Sequence, residues 1–487
     1  MSDAPLYLQP RLSAAMASLL RSGSFLQSLV DGLGSPLNVL LPDQIALNLG
    51  AFRSVLRGHQ LSGRVFFAHK ANRSSALVRR LTTTEAGLDA ASLAELQHAL
   101  GSGFTGDKVM VTGPKDPEFL WLAARAGAIV NADGIGELVE AAGFVRSHGL
   151  PRLRILLRLS EFETSGARTL SRTSRFGTSF KALGRLLDTL ESFKEELEPI
   201  GVGYHLDTTG LDEKATALEG CLIAVEELRL RGFGPRAVDV GGGFGISYLA
   251  HADQWERYTS ALTQAVLGKH TPMTWGGHGY GLRAEKGTLK GALGLYPAYR
   301  PVAGAGYLDE LLACPAPGLG RPLGTLLLEG LCDLYAEPGR ALVDQCGVTL
   351  GKVLEVRASG GGPAMVRLAM NSGDVGLEEH GILVDPVLLR RDGAPGVGRP
   401  VGVHLAGNLC LESDLITRRT VFLPDLPQPG DLLAFPNTAG YCMDFTATAA
   451  QQQPSARRVA VREEGGSWRW CLDEKYWPVL DTGGQRA

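Results

Sequence analysis

Arg64-Val65-Phe66-Phe67-Ala68-His69-Lys70-Ala71-Asn72-Arg73-Ser74 is the stretch whose reading decides the fold. Val65 to Ala68 are apolar without alternation, as expected of a strand buried on both faces. Lys70 follows where that strand should end. Ser74 and Ser75 then lead into Ala76-Leu77-Val78-Arg79-Arg80-Leu81, which has helical spacing. A lysine at the carboxyl end of a buried strand in a βα unit stands where α/β barrels carry their chemistry. It can hold a phosphate or, once its amine is desolvated, form a Schiff base. Alone, the same lysine reads as a solvated loop residue; the rest of the chain decides between the two.

The 487 residues exceed one compact core and fit two domains. Hydrophobic residues make up 44% of the chain and the mean hydropathy is near zero, as in an ordinary soluble protein. The net charge is −3, with no long basic or acidic block, which argues against nucleic-acid and anionic-membrane partners. Met-Ser-Asp-Ala-Pro at the N-terminus lacks a charged-then-apolar signal pattern, and no apolar run has the length to span a bilayer. The seven cysteines are widely spaced with no CxxC pair. The expectation is a cytoplasmic protein with reduced thiols, no disulfide framework and no metal site.

Leu12 to Val30 reads as one helix, Ser35 to Pro42 as a short strand and Ile45 to Leu56 as a helix. After the lysine strand, apolar runs alternate with amphipathic segments. Gly87 to Ser92, Val109 to Val111, Ala128 to Ala132, Arg154 to Leu159, Gly201 to Leu206 and Ala237 to Val240 read as strands with helices between them. Such a βα repeat closes into a TIM-type (β/α)8 barrel. The repeat breaks near Leu267. Residues 268–325, rich in Gly, Pro and aromatics, read as an insertion, and strand character resumes at Thr325 to Leu328. From Val348 the texture is strand, turn, strand, with glycine-rich turns such as Ser359 to Pro363, which predicts an all-β C-terminal domain. The expected division is an N-terminal segment over 1–34 that packs on the β domain or the barrel, a barrel over 35–345 and a β domain over 346–487.

Individually, the remaining motifs are ambiguous. Gly241-Gly242-Gly243-Phe244-Gly245 follows the strand Val238-Asp239-Val240 and could let backbone N–H groups approach a phosphate, or be only a tight turn. Glu337-Pro338-Gly339-Arg340 offers an anion and a cation, and His205 ends Gly203-Tyr204-His205. In order, however, Phe67 to Asn72, Gly87 to Ser92 with Glu95, Ser174-Arg175-Phe176-Gly177, His205, the triple glycine, Glu337 to Arg340, Gly407-Asn408-Leu409-Cys410 and Ala439-Gly440-Tyr441 form one pattern. From about residue 35 to 450 the chain resembles the pyridoxal-phosphate-dependent decarboxylases with an alanine-racemase-like barrel, the group of diaminopimelate, ornithine and arginine decarboxylases.

The resemblance implies pyridoxal 5'-phosphate as cofactor, an amino-acid substrate and a homodimer with shared active sites. It implies that Lys70 holds the cofactor as a Schiff base and that His205 stacks on its ring. Gly242, Gly243 and Arg340 would bind the phosphate with Tyr441 and the hydroxyl of Thr208, and Glu337 would pair with the pyridine nitrogen. Asp89, Glu95 and Arg158 match positions near the ring. Cys410 would enter from the partner subunit. There a thiol can return a proton to the carbanion left by loss of CO2. Racemases of this fold place an arginine against the ring nitrogen, so Glu337 favours decarboxylation.

The departures fall on the substrate side. Leu411 follows Cys410 where diamine-forming members carry an acid, and Ser372, in Met370-Asn371-Ser372-Gly373, stands near a second missing acid. Glu412, Asp374 or Asp414 could compensate. Asp207 and Thr208 replace the usual Gly-Ser, and the spacing from Gly241 to Glu337 is several tens of positions longer than in the relatives. Candidate substrate contacts are Leu411, Glu412, Asp414, Ser372 and Arg300, with Trp275, Tyr296 and Arg321 in the same insertion. The leading expectation is a carbon–carbon lyase acting on an amino acid without a distal cation. The alternatives are a racemase or another reaction at the α or β carbon on the same cofactor, and a catalytically silent binding relative.

Overall fold

The computed structural model describes residues 5–162, 174–206, 208–358, 360–393 and 400–478. The chain divides into two units, one comprising 45–245, 302–342 and the C-terminal end, the other 1–44, 246–301 and 343–476.

The first unit is a closed barrel of eight parallel strands: Gly63–Ala68, Gly87–Ala90, Val109–Val111, Ile129–Ala132, Leu153–Ser160, Leu197–Tyr204, Ala237–Asp239 and Asp333–Ala336. Each pairs with the next, and Asp333–Ala336 closes the ring onto Gly63–Ala68. The strands are short and apolar because both faces are covered: side chains such as Phe66, Met110, Ile129 and Leu156 fill the interior while helices cover the outside. Caps set where those helices begin. Ser74, Ser92 and Asp116 each accept a backbone N–H from the first turn of the helix that follows.

The second unit is built on a nine-stranded sheet. Its centre is Gly347–Arg357, flanked by Leu37–Leu40 and Leu432–Pro436. Met16, Leu19, Leu26, Leu29 and Val30, from the helices Ala14–Arg21 and Gly23–Leu33, pack on Val39, Val348, Leu350, Leu432 and Val459. The N-terminal segment therefore covers this sheet's apolar face.

Four sequence readings change here. Leu12 to Val30, expected as one helix, is two, Ala14–Arg21 and Gly23–Leu33, broken at Ser22, whose backbone leaves the helical region. The strand Leu37–Leu40, expected to open the barrel, pairs with Gly347–Arg357 and Arg457–Glu464 in the other unit. A four-residue run buried on every side looks the same at the centre of either kind of sheet. Thr325 to Leu328, expected as a strand, lies in the helix Leu323–Glu329, since a short apolar run carries no readable period. Residues 268–325 do not form one insertion. They hold a hairpin, Leu282–Glu285 with Thr288–Gly291, and the helix Ala305–Ala313, and they are divided between the two units at about residue 301. Asp207 and Ser359 lie outside the described residues.

Candidate active site

Parallel strands in a barrel end on one face, so residues just past their carboxyl ends converge. Lys70 follows Gly63–Ala68 in the single 3-10 turn His69–Ala71. Asp89 is in register with Ala68 on the neighbouring strand. His205 follows Leu197–Tyr204, the triple glycine follows Ala237–Asp239, and Glu337 follows Asp333–Ala336. Lys70, Thr112, Arg158, Phe176, His205 and Thr208 line a common cavity of about 670 Å³, into which Glu161, Arg175 and Glu213 also reach.

A hydrogen-bonded chain fixes the turn that carries Lys70. His69, 3% exposed, places Nε2 2.7 Å from His98 Nδ1, whose Nε2 lies 3.0 Å from Ser75 Oγ. On its other side His69 Nδ1 is 3.3 Å from Glu95 Oε1. Glu95 also accepts the Ala91 N–H at 2.7 Å. Burial raises the Glu95 carboxyl, and these bonds with His69 bring it below its usual range.

Among the described residues, three carboxyls are buried in the barrel: Asp89, Asp239 and Glu337. They cannot all be charged in so little dielectric screening. Burial, reinforced by the charge of Glu337, holds both Asp89 and Asp239 well above the carboxylate range. Burial also pushes Glu337 upward, but the hydrogen bond and charge of His205, with a bond from Asp239 and the charge of Lys70, bring it to about 2. Glu337 Oε2 lies 2.9 Å from His205 Nδ1, and Asn131 Nδ2 approaches Oε1 at 3.5 Å. Burial thus works against the charged form of Asp89 and Asp239 and leaves Glu337 the most readily ionised of the three.

The loop 241–245 is shaped for an anion. Gly241 and Gly243 have φ of 62° and 80°, the left-handed region that glycine enters freely. A Cβ on Gly242 would come within 3.0 Å of Glu337 O and 3.1 Å of His205 Cε1. Gly241 N–H is used by Asp239 Oδ1 at 2.8 Å. The next four N–H groups, of Gly242, Gly243, Phe244 and Gly245, have no acceptor among the described residues, although three of these residues are buried. Consecutive N–H groups without acceptors form a concavity that suits a phosphate. Arg340 and Thr208 lie in the same unit, Arg340 in the turn after Glu337. These features fit pyridoxal phosphate: an anion-seeking loop for its phosphate, one buried anion for its ring nitrogen and an amine for its aldehyde.

The remaining expected site residues, Arg321 excepted, belong to the other unit. Cys410 is an exposed free thiol on the loop after Val401–Ala406, its N–H bonded to Gln451 at 2.9 Å. Leu411 is 55% exposed and Glu412 is exposed beside it. Asp414 is buried and tied to backbone: its oxygens accept from Ser372 N and Leu409 N, both at 2.8 Å. Asp374 accepts from Asn371 N at 2.8 Å in a capping box, and burial pushes its carboxyl up to about 6. Tyr441 takes a φ of 71°, unusual for a tyrosine, and its ring lies edge-on to Phe445 at 5.4 Å. Arg300 stacks on Tyr296 at 4.9 Å, and Trp275 meets His404 edge-on at 5.3 Å. Arg321, in the barrel unit, is ion-paired with Glu329 at 2.5 Å.

Sequence reasoning passed over Asp239, Asn131 and Lys214. The position of Asp239, at a strand end two residues before the first glycine, was a usable signal. Asn131 and Lys214 carried none.

The pyridoxal binding domain of the pyridoxal-dependent decarboxylases matches residues 43–289. The uncharacterized protein y4yA of Sinorhizobium fredii is 31% identical over 466 residues, covering 94% of each chain. The diaminopimelate decarboxylase of Methanothermobacter thermautotrophicus is 26% identical, covering 91% of each. Among solved structures, a lysine/ornithine decarboxylase of Vibrio vulnificus, complexed with putrescine, superposes with a TM-score of 0.64 at 19% identity, covering 92% of this chain and 99% of that one. No helix among the described residues is long and apolar enough to cross a membrane. A barrel whose lysine, buried anion and glycine loop fit pyridoxal phosphate, together with that match, places the chain in the family of pyridoxal-dependent decarboxylases, lyases that use pyridoxal phosphate.

Proposed function

We propose that the protein decarboxylates an amino acid whose side chain carries no distal cation, at the face of the barrel where Lys70 stands. The observation that carries the reaction is the buried Glu337, held 2.9 Å from His205 at the end of the strand beside that of Lys70. Bound pyridoxal phosphate supplies the electron sink for the carbanion left when CO2 departs. Glu337 would hold a proton on the ring nitrogen, and the burial that disfavours ionisation of Asp89 and Asp239 would spare it the repulsion of two further charges. Lys70 would hold the cofactor covalently. His205 would orient its ring, and the 241–245 loop with Arg340, Thr208 and Tyr441 would bind its phosphate. Cys410 of a second copy would deliver the proton to the α carbon, which makes the active unit a dimer.

The substrate reading rests on which acids are open. Asp414 and Asp374 are engaged with backbone N–H groups, Leu411 is apolar and Ser372 has only a hydroxyl. A buried terminal ammonium without a partner costs about 3 kcal/mol or more. In the cavity of Lys70, Arg158 and Arg175 both stack on Phe176, at 4.9 and 4.5 Å, and with Glu161 and Glu213 on the same lining the cavity carries both signs of charge.

Carbon dioxide released per amine formed should be one to one; a racemase would release none. Subunit mixing tests the shared site. Lys70→Ala and Cys410→Ala, each inactive alone, should regain about a quarter of wild-type activity when subunits exchange at random, because one site in a mixed dimer keeps both groups. No recovery despite demonstrated exchange would place both groups in one chain.

A further inference from the structure

Lys214 has no part in the roles assigned so far, yet it is among the most buried charged side chains, with 0% exposure. It lies in the first turns of the helix Leu211–Leu230, and its Nζ donates to Gly242 O at 2.6 Å. The ammonium lies 4.9 Å from the ring centre of Phe244 and 5.1 Å from that of Tyr307. Among the described residues, no carboxylate lies within ion-pair distance of it. Burial alone lowers its pKa to about 8. One carbonyl and two ring faces compensate only part of the desolvation of an ammonium, and a methionine would fill the same space without that cost. A charge held at this expense calls for a purpose.

The geometry supplies one. In a trans peptide the C=O and the following N–H point to opposite sides. The Gly242 carbonyl turns toward Lys214, so the Gly243 N–H turns away from it. That N–H is one of the four in the loop without an acceptor. The side of Gly243 where a Cβ would project is taken by Lys214 Nζ, 3.0 Å away, and by the carbonyls of Thr208 and Leu206 at 3.0 and 3.2 Å. A charge donating to a peptide carbonyl polarises that peptide and strengthens its N–H as a donor. It also adds positive potential beneath the loop from a side chain that is itself buried.

We infer that Lys214 is a positioning residue for phosphate recognition, its buried ammonium fixing and polarising the Gly242–Gly243 peptide so that the N–H faces the phosphate of the cofactor. This rests on the reading of the 241–245 loop as the phosphate site. The elements packed against the helix of Lys214 carry Glu198 and Tyr204, Asp239, Tyr307, Asp309 and Glu310, and Glu329; Asp212 and Glu213 lie on the helix itself. None of them shifts Lys214, whose only perturbation is burial. A phosphate dianion is therefore the charge that would keep it protonated.

The test compares apoprotein binding of pyridoxal 5'-phosphate and of pyridoxal, which lacks the phosphate, by equilibrium dialysis. Their affinity ratio cancels the contribution of Lys70. Lys214→Met should cut that ratio about 10- to 100-fold, with pyridoxal affinity and the melting temperature of the apoprotein held or improved. Lys214→Arg should restore most of the ratio. In the wild type, the ratio should fall as pH rises from about 7 to about 10, as the ammonium loses its proton, and Lys214→Met should show no such fall. An unchanged ratio in Lys214→Met, or a flat wild-type profile, overturns the inference. The wild-type profile needs no variant and stands even where a substitution prevents folding. A wild type with no preference for the phosphorylated ligand overturns the phosphate-site reading as well.

Discussion

Lys70→Ala should reduce CO2 release by about 10⁴-fold or more and abolish borohydride-fixed labelling by pyridoxal phosphate, while the protein stays folded. In the proposed reaction the amine is the covalent attachment point, and no other lysine stands in the turn after Gly63–Ala68. Folding does not depend on it, because the turn is held by other groups: His69 with Glu95 and His98, and the Ser74 cap on the next helix. The side chain of Lys70 is only partly buried. The melting temperature of the apoprotein should therefore change little, which separates loss of the attachment point from loss of structure. Equal borohydride labelling in Lys70→Ala would place the cofactor on another lysine.

The second large effect is expected from Glu337→Gln: a fall in kcat of about 10²- to 10³-fold, the scale seen when a buried electrostatic contact to the reacting system is lost. The amide keeps the shape and removes the charge. Asp89 and Asp239, whose carboxyls are raised by burial and further by the charge of Glu337, would then be raised less. His205 would lose its carboxylate hydrogen-bond partner. A pH profile of apoprotein stability distinguishes this from simple damage. Glu337 is held near 2 in the fold, against about 4.3 unfolded. It therefore contributes stability at pH values above the unfolded value, and that contribution is lost as pH falls toward 2. Glu337→Gln should lack that acid-side loss. A variant with wild-type kcat would remove Glu337 from the chemistry.

The barrel was legible because parallel strands covered on both faces leave contiguous apolar runs, and because strand ends in a barrel must converge. Lys70, His205, the glycines and Glu337 each follow such a run. Leu37–Leu40 shows where this reading stops: full burial describes both sheets, and only pairing decides between them. Thr325 to Leu328 failed for the complementary reason, as seven helical residues between Pro322 and Gly330 display too little period. Lys214 was invisible because a lysine in a helix is ordinarily solvated, and nothing local signals that the helix sinks it beneath a loop thirty positions away. Asp414 looked like an available acid until its oxygens were found on the Ser372 and Leu409 amides. Residues whose role comes from their neighbours in sequence were readable; those whose role comes from tertiary contacts were not.

The most direct test of the central claim is steady-state CO2 release by the protein loaded with pyridoxal phosphate, across cationic, neutral and acidic amino acids, with α-proton exchange followed in the same samples. The account predicts that a neutral or acidic amino acid gives the highest kcat/KM, with CO2 release exceeding exchange, and that ornithine, lysine and diaminopimelate are poor substrates. A kcat/KM for ornithine or lysine above every neutral and acidic candidate would contradict the substrate assignment and point to Glu412, the acid left exposed beside Leu411. Proton exchange without CO2 from any amino acid would contradict decarboxylation itself.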